Sequence, residues 1–223
     1  MFGLNKEELR ILKKLNTPKK IQDFLDTLEI NFEYDGMTCM SPRRVLRERK
    51  AHCIEAAMLA ALALRIHGHE PLILDLSAVD YDEDHVIAVF RQFGKWGAIS
   101  KTNHTILRYR EPIYSSIHEL AISHFHEFYD YNRKKTLRSY SIPVNMKRFD
   151  KKGWMTSEID LWYVNDHLFE ARHIELMNKA QIANLRKVDQ IEVDSLKLTE
   201  WKRRDSGRKQ KKQKISGKQR RKS

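Results

Sequence analysis

The sequence reads KAHCIEAAMLAALALR at residues 50–65, and this stretch decides the fold. It contains no Gly or Pro, and it is rich in Ala and Leu, the strongest helix formers. Its larger side chains recur at helical spacing: Met58, Leu59, Leu62 and Ile66. We expect a helix that begins at Cys53 and carries only Glu55 and Arg65 as charged residues. Such a helix has to be covered by other elements on most of its sides.

Cys53 is expected in the first turn of this helix. Unpaired backbone N–H groups and the positive end of the helix dipole stabilise an anion there, which favours the thiolate over the thiol. Because the thiolate is the nucleophilic form, Cys53 is a candidate catalytic residue. The alternative is a small buried apolar side chain, the usual role of an isolated cysteine in an apolar run.

Strands are expected after the central helix, which Gly68 is placed to end. The pattern predicts these further elements: strands at 72–76, 85–90 and 96–100, and helices at 114–130 and 159–183. Gly94 and Lys95 separate the second strand from the third, so we expect an antiparallel hairpin with these two residues as its loop. A central helix packed on an antiparallel sheet, with added C-terminal helices, is an α+β fold.

The positive charge of the chain is concentrated at its C-terminus. The chain has 223 residues and a formal net charge of +12, and residues 202–223 hold twelve Lys or Arg against the single Asp205. Residues 1–201 are therefore nearly neutral. We expect one domain with a C-terminal helical extension over 1–201, and a disordered basic tail over 202–223. Such a tail attracts RNA or another polyanion without reading its sequence, and the alternative is a solubilising tail with no dedicated partner.

The sequence predicts no disulfide framework, membrane partner or cofactor. Two cysteines, Cys39 and Cys53, in a chain of this length are typical of intracellular thiols. The N-terminus lacks the apolar core of a signal peptide and no segment is long enough to span a bilayer, so we expect a cytoplasmic protein. His124 and His126 are two residues apart and point in different directions on a helix, which argues against a metal site.

Several motifs occur in an order that resembles the core of the transglutaminase-like superfamily. They are Ala51-His52-Cys53-Ile54-Glu55-Ala56, the Ala/Leu helix that ends at Gly68, Asp84-His85-Val86-Ile87-Ala88-Val89, and Gly94-Lys95-Trp96. The resemblance covers roughly residues 18–110. It implies a papain-like α+β core and a Cys-His-Asp triad that acts on a protein or peptide substrate.

The resemblance implies a role for each matching residue. Cys53 would be the nucleophile and His85 its general base, in acyl transfer or amide hydrolysis of the peptidase, deamidase or cross-linking type. The chain departs from the family where the aspartate is expected, because Ser100 stands at that position. Asn103 is the alternative third member, since an asparagine orients the histidine ring in papain-like proteases.

The register of the expected hairpin favours Ser100 over Asn103. With Gly94 and Lys95 as loop residues, the alternation of side chains places Ser100 on the same side of the sheet as His85, and Asn103 on the other. We therefore expect Ser100 to be the nearer residue. The rival hypothesis for the whole chain is a catalytically silent module of the same fold, which binds RNA or another polyanion through its basic tail.

Overall fold

The structure is a computed structural model, and it describes residues 1–203. The chain forms a mixed α+β fold with an antiparallel sheet, as the sequence predicts, and the sheet has seven strands on which helices pack. The expected basic tail lies outside the described residues, except for its first two. Within residues 1–203, none of the helices combines the length and the apolar character needed to cross a bilayer.

The helices are short, with one exception, and most of the strands belong to one sheet. The helices are α1 (Lys6–Lys14), α2 (Pro18–Asp26), α3 (Pro42–Glu48), α4 (Cys53–Ile66), α5 (Ile117–Ile122), α6 (Trp162–Glu170), α7 (Lys179–Ala183) and α8 (Gln190–Ser195). The strands are β1 (Glu29–Ile30), β2 (Lys50–Ala51), β3 (Leu72–Ala78), β4 (His85–Gln92), β5 (Lys95–Ile99), β6 (Arg110–Tyr114), β7 (Leu137–Ser141), β8 (Val144–Asn145) and β9 (His173–Glu175). The sheet has the order β6-β5-β4-β3-β7-β9, β8 also pairs with β3, and β1 and β2 form a separate parallel pair.

Helix α4 is the central helix that the sequence predicts, and it begins at Cys53. Every residue from Ile54 to Leu64 is buried, including the charged Glu55. Its apolar side chains share one core with alternate residues of β4, namely Val86, Ala88 and Phe90. The intervening residues of β4 belong to a second core on the opposite face of the sheet, which α5 covers. Strand β4 is therefore buried on both faces, as its continuous apolar sequence predicts.

The hairpin of β4 and β5 has a different loop from the expected one. Ala88 pairs with Ile99, so the two loop residues are Phe93 and Gly94, and Lys95 belongs to β5. Both loop residues have positive φ, 52° and 76°, as a two-residue type I′ turn requires. The correction moves each cross-strand partner by two residues. Because side chains alternate with a period of two, the faces assigned from the sequence stay the same.

Two expected helices are interrupted. In the segment 114–130, Tyr114 ends β6 and the helical parts are α5 and a short 3-10 helix at Phe125–Glu127. The Ser116 side chain caps the start of α5. The segment 159–183 is divided into α6 and α7 by β9, which pairs with β7. In the segment 159–183, the backbone hydrogen bonds between β9 and β7 outweigh the helix propensity of the residues in β9. That propensity varies by at most about 1 kcal/mol per residue among residues other than Pro.

Candidate active site

The candidate nucleophile lies where a short strand meets the central helix. Cys53 is the first residue of α4 and is half-buried. The preceding strand β2 is held by its pairing with β1, in which the Asn31 N–H donates to the Ala51 carbonyl at 3.1 Å. The pairing holds the backbone that leads into the first turn of α4, the turn whose N–H groups have no partner within the helix.

His85 and Ser100 are in direct contact. The Nε2 atom of His85 lies 2.7 Å from the Ser100 hydroxyl, and that hydroxyl donates to the Leu107 carbonyl at 2.5 Å. Since the hydroxyl proton is used for Leu107, the serine oxygen accepts from His85, and Nε2 carries the ring proton. The Gln22 amide holds Ser100 in place, because it accepts from the Ser100 N–H at 3.0 Å and donates to the Ser100 carbonyl at 2.9 Å.

The thiol of Cys53 is strongly acidified. Burial alone would raise the pKa of this thiol, but hydrogen bonds with His52 and His85 and the positive charges of both rings lower it well below its usual range. Because Ser100 occupies Nε2 of His85, Nδ1 is the ring nitrogen left for Cys53. Two histidines therefore act on one sulfur.

His52, which is not among the candidate residues predicted from the sequence, lies among oxygen atoms. Its Nε2 is 3.0 Å from the Thr38 carbonyl oxygen, 3.4 Å from the Glu55 carboxylate and 3.5 Å from that of Glu33. Burial would lower the pKa of His52, but the hydrogen bond with Cys53 and the negative charges of Cys53 and Glu55 raise it to about 10. The one sequence signal for His52 is its position directly before the candidate nucleophile.

Glu55 is a fully buried carboxylate with four hydrogen-bond donors. The Thr38 hydroxyl donates at 2.7 Å, the Met40 N–H at 2.9 Å, the His52 N–H at 3.0 Å and the Asn31 amide at 3.2 Å. These contacts tie the segment that precedes α3 to the first turn of α4. Glu55 therefore positions the backbone at the site as well as contributing charge.

Asn103 takes no part in the contacts of His85 described above. Its amide donates to the Trp201 carbonyl at 3.0 Å, and its side-chain oxygen accepts from the Trp201 N–H at 2.9 Å. Asn103 thus fastens the C-terminal segment of residues 1–203 to the body of the protein. Of the two residues considered as third members, Ser100 is the one in contact with the ring, as the alternation of side chains predicts; a catalytic role for it stays a prediction.

The second cysteine has the opposite environment. Cys39 is fully buried, and its sulfur lies 3.5 Å from the Leu161 carbonyl oxygen. Burial raises the pKa of this thiol, and the negative charges of Glu55 and Asp160 raise it further. Its backbone N–H donates to Asp160 at 3.0 Å. Cys39 is therefore held as a neutral thiol.

The two histidines considered as metal ligands lie in different environments. His124 is fully buried, its Nδ1 is 3.0 Å from the Leu120 carbonyl, and burial lowers its pKa to about 3. The His126 ring packs edge-on against Phe125. Across residues 1–203, no group of three or more His, Cys, Asp or Glu side chains is arranged to hold a metal ion.

A basic pocket occupies another part of the surface. The residues that line it include no acid. Five are cationic: Lys134, Lys135, Arg138, Arg186 and Lys187. The others are Tyr81, Ile182 and Leu185. One of the cations, Arg186, forms an exposed ion pair with Asp189 at 2.7 Å. Its cationic lining complements the charge of phosphate or carboxylate groups.

No model of a known protein family matches the chain, and no curated protein matches it either. The likeness to the transglutaminase-like superfamily therefore rests on the motifs quoted in the sequence analysis.

Proposed function

We propose that the protein is a cysteine-dependent acyltransferase or amide hydrolase with a transglutaminase-like, papain-like core. One observation carries the proposal: Cys53 heads a buried helix, and His85, which lowers the pKa of its thiol, is held at Nε2 by the Ser100 hydroxyl at 2.7 Å. A nucleophile, a base and a group that orients the base are the parts that covalent catalysis requires.

The geometry supports a two-step reaction. The Cys53 thiolate attacks the carbonyl carbon of an amide or ester, a C–S bond forms, and N–H groups at the head of α4 stabilise the oxyanion. His85 takes up a proton from solvent at Nδ1 and donates it to the leaving group as the C–N or C–O bond to that group breaks. Water or an amine then attacks the thioester, gives its proton to His85, and releases Cys53.

Ser100 supplies orientation without charge. Its oxygen accepts from Nε2 of His85 and so keeps the lone pair of the neutral ring at Nδ1, on the side of Cys53. A serine does not neutralise the imidazolium as an aspartate does, so the Ser100 contact is a weaker support for the positive ring. We propose that the acyl transfer proceeds with this weaker support.

An activated ester tests the proposal. We would incubate the full chain with p-nitrophenyl acetate at pH 6, stop the reaction with acid, and locate acetyl groups by peptide mass spectrometry. A thioester on Cys53 is expected in the wild type and in Cys39→Ser, but not in Cys53→Ser. In His85→Asn we expect the thioester to form and then to persist, because the base for its hydrolysis is missing. A folded wild-type chain without acetyl on Cys53, or with equal labelling of Cys39, would contradict the proposal.

The basic pocket favours a second candidate function, the binding of RNA or another polyanion. Five cationic side chains from two segments line the pocket, and the sequence adds twelve Lys or Arg at 202–223. A polyanion that spans both would release many counterions, which makes its binding strongly salt-dependent. In this hypothesis the protein is a binding module, whether or not Cys53 reacts.

Fluorescence anisotropy with single-stranded RNA separates the contributions of the pocket and the tail. We expect a chain that ends at Arg203 to lose most of its affinity, and the double variant Lys134→Gln, Lys187→Gln to lose part of it. The double variant Lys151→Gln, Lys152→Gln removes the same charge elsewhere on the surface and serves as the matched control. Equal losses in both double variants would rule out the pocket as a site.

A further inference from the structure

We propose that His52, rather than His85, holds Cys53 as a thiolate in the resting protein, and that the Glu55 carboxylate keeps His52 charged. This inference rests on the proposed thiol chemistry and assigns separate tasks to the two histidines. His52 would be a positioning residue that supplies charge, while His85 moves the proton. Ser100 stands beside His85 where the transglutaminase-like triad has an acid. In this chain the acid, Glu55, would lie beside His52 instead.

The first step is the charge of Glu55. Three of its four hydrogen-bond partners are N–H groups, from Asn31, Met40 and His52, and an N–H group only donates. A carboxyl group that receives so many donors is ionised. Glu55 is also fully buried, and a buried carboxylate needs a nearby positive charge.

The second step is that His52 supplies this charge. Its Nε2 lies 3.0 Å from the Thr38 carbonyl oxygen, an atom that only accepts, so Nε2 carries a proton. The Glu55 carboxylate at 3.4 Å and the Glu33 carboxylate at 3.5 Å favour the charged ring. Cys53, the next residue in the chain, raises the pKa of His52 further through a hydrogen bond and its negative charge. A ring that is protonated at Nε2 and lies beside two carboxylates is stabilised as an imidazolium.

The third step concerns the other charges around the sulfur. The titratable groups that interact with Cys53 or His52 come from several elements: Glu33, Cys39, Glu55, Asp75, Glu83 and His85. Apart from His85, these groups are acids. Since Ser100 gives His85 no compensating negative charge, a cation is better stabilised at His52, which has two carboxylates within 3.5 Å.

A pH profile of alkylation tests this assignment on the full chain. We would measure the rate at which iodoacetamide labels Cys53 between pH 4.5 and 10, by peptide mass spectrometry, in wild type, His52→Gln and His85→Asn. In His52→Gln we expect the inflection to move up by at least one pH unit, with a rate at pH 6 about 10-fold lower and a rate at pH 10 close to wild type. In His85→Asn the inflection should stay within about half a unit of wild type.

A neutral His52 that merely precedes the helix would leave the profile of His52→Gln unchanged, and this result would overturn the inference. A shift in His85→Asn alone would assign the thiolate to His85. As a measurement that needs no substitution, ring nitrogen chemical shifts of the wild type should show His52 protonated at pH 8, and a neutral ring there would also overturn the inference. A different result would contradict the proposed function alone. In that case the alkylation pH profiles of the two variants are as expected, but Cys53 forms no acetyl thioester with p-nitrophenyl acetate.

Discussion

The two cysteines occupy neighbouring parts of one core and have opposite acidities. Cys39 lies in the segment before α3, where its sulfur meets a carbonyl oxygen and two carboxylates raise the pKa of its thiol. Cys53 lies in the first turn of α4, where two histidines lower the pKa of its thiol. Burial raises the pKa of both thiols. The difference therefore comes from the sign of the charges that each sulfur meets.

One buried carboxylate acts on both cysteines. Glu55 raises the pKa of Cys39 directly, while it raises the pKa of His52 and so helps to stabilise the Cys53 anion. The same side chain holds the backbone N–H groups of Met40 and His52, which belong to the segments that carry the two cysteines. Glu55 and the two segments that it joins by hydrogen bonds, which we call the junction, therefore contribute to the difference in acidity between the two thiols.

The largest expected effect is the difference in thiol reactivity itself. Near neutral pH we expect iodoacetamide to label Cys53 at least about 100-fold faster than Cys39, because only the thiolate reacts and Cys39 is held neutral. Peptide mass spectrometry of a time course measures both rates in one sample. In strong denaturant the two rates should become similar. Equal, slow rates in the folded protein would remove the basis of the proposed chemistry.

The second effect is on stability and concerns the junction. Glu55→Ala leaves four donors and a charged His52 without their partner, so we expect a loss of about 3–5 kcal/mol in the free energy of unfolding. Glu175→Ala removes an exposed carboxylate from β9 and should change that energy by less than about 0.5 kcal/mol. Urea unfolding followed by fluorescence measures both. A small loss for Glu55→Ala would mean that water replaces the carboxylate at the junction.

A third prediction concerns Asp75, because burial raises the pKa of its carboxyl group more than His173 lowers it. Asp75 accepts from the His173 ring at 3.1 Å, yet burial raises its pKa to about 6. The folded protein therefore binds a proton at Asp75 that the unfolded chain, with an ordinary pKa near 3.9, does not bind between about pH 4 and 6. Stability from this group is present at low pH and is lost as the pH rises to 6. The pKa of His173 is also raised, first by its hydrogen bond with Asp75, so the stability that His173 adds is present at low pH and is lost as the pH rises through its raised pKa.

Unfolding experiments at pH 4.5, 5.5 and 6.5 measure this linkage. From Asp75 we expect a decrease of roughly 2 kcal/mol across that range in the wild type, and a clearly smaller decrease in Asp75→Asn. The exposed Asp166→Asn should follow the wild type. If Asp75→Asn also follows the wild type, His173 and not burial controls the pKa of Asp75, and the Asp75–His173 pair behaves like the Glu55–His52 pair.

The sequence predicts the parts of this comparison that depend on local patterns. The Ala/Leu run fixes α4 and places Cys53 at its head, and the β-branched run after His85 predicts a buried strand. The predicted hairpin loop is wrong because Phe93, a non-glycine residue, adopts a positive φ of 52°. That conformation is uncommon for such a residue, so the sequence favours Gly94 and Lys95 as the loop.

The roles of His52 and Glu55 depend on contacts that no local pattern contains. Glu55 is held by Asn31, Thr38 and Met40, which are 24, 17 and 15 residues away. These residues meet the first turn of α4 only because β1 pairs with β2 and the intervening segment returns to the helix. The sequence shows a histidine directly before a cysteine. The fold brings the Glu33 and Glu55 carboxylates to the His52 ring, and these favour its protonated form.

The smallest expected effect separates the two residues considered as the third member of the site. Ser100→Ala removes the oxygen that accepts from Nε2 of His85, so both tautomers of the neutral ring become accessible and the lone pair no longer faces Cys53 all the time. One neutral hydrogen bond is worth about 1 kcal/mol, which predicts a loss of about 3- to 10-fold in the hydrolysis rate of acetyl-Cys53. Asn103→Ala should leave that rate unchanged, because the Asn103 amide binds Trp201 instead of the ring. A loss in Asn103→Ala that equals the loss in Ser100→Ala would mean that the C-terminal segment, and not the hydroxyl contact, controls the orientation of His85.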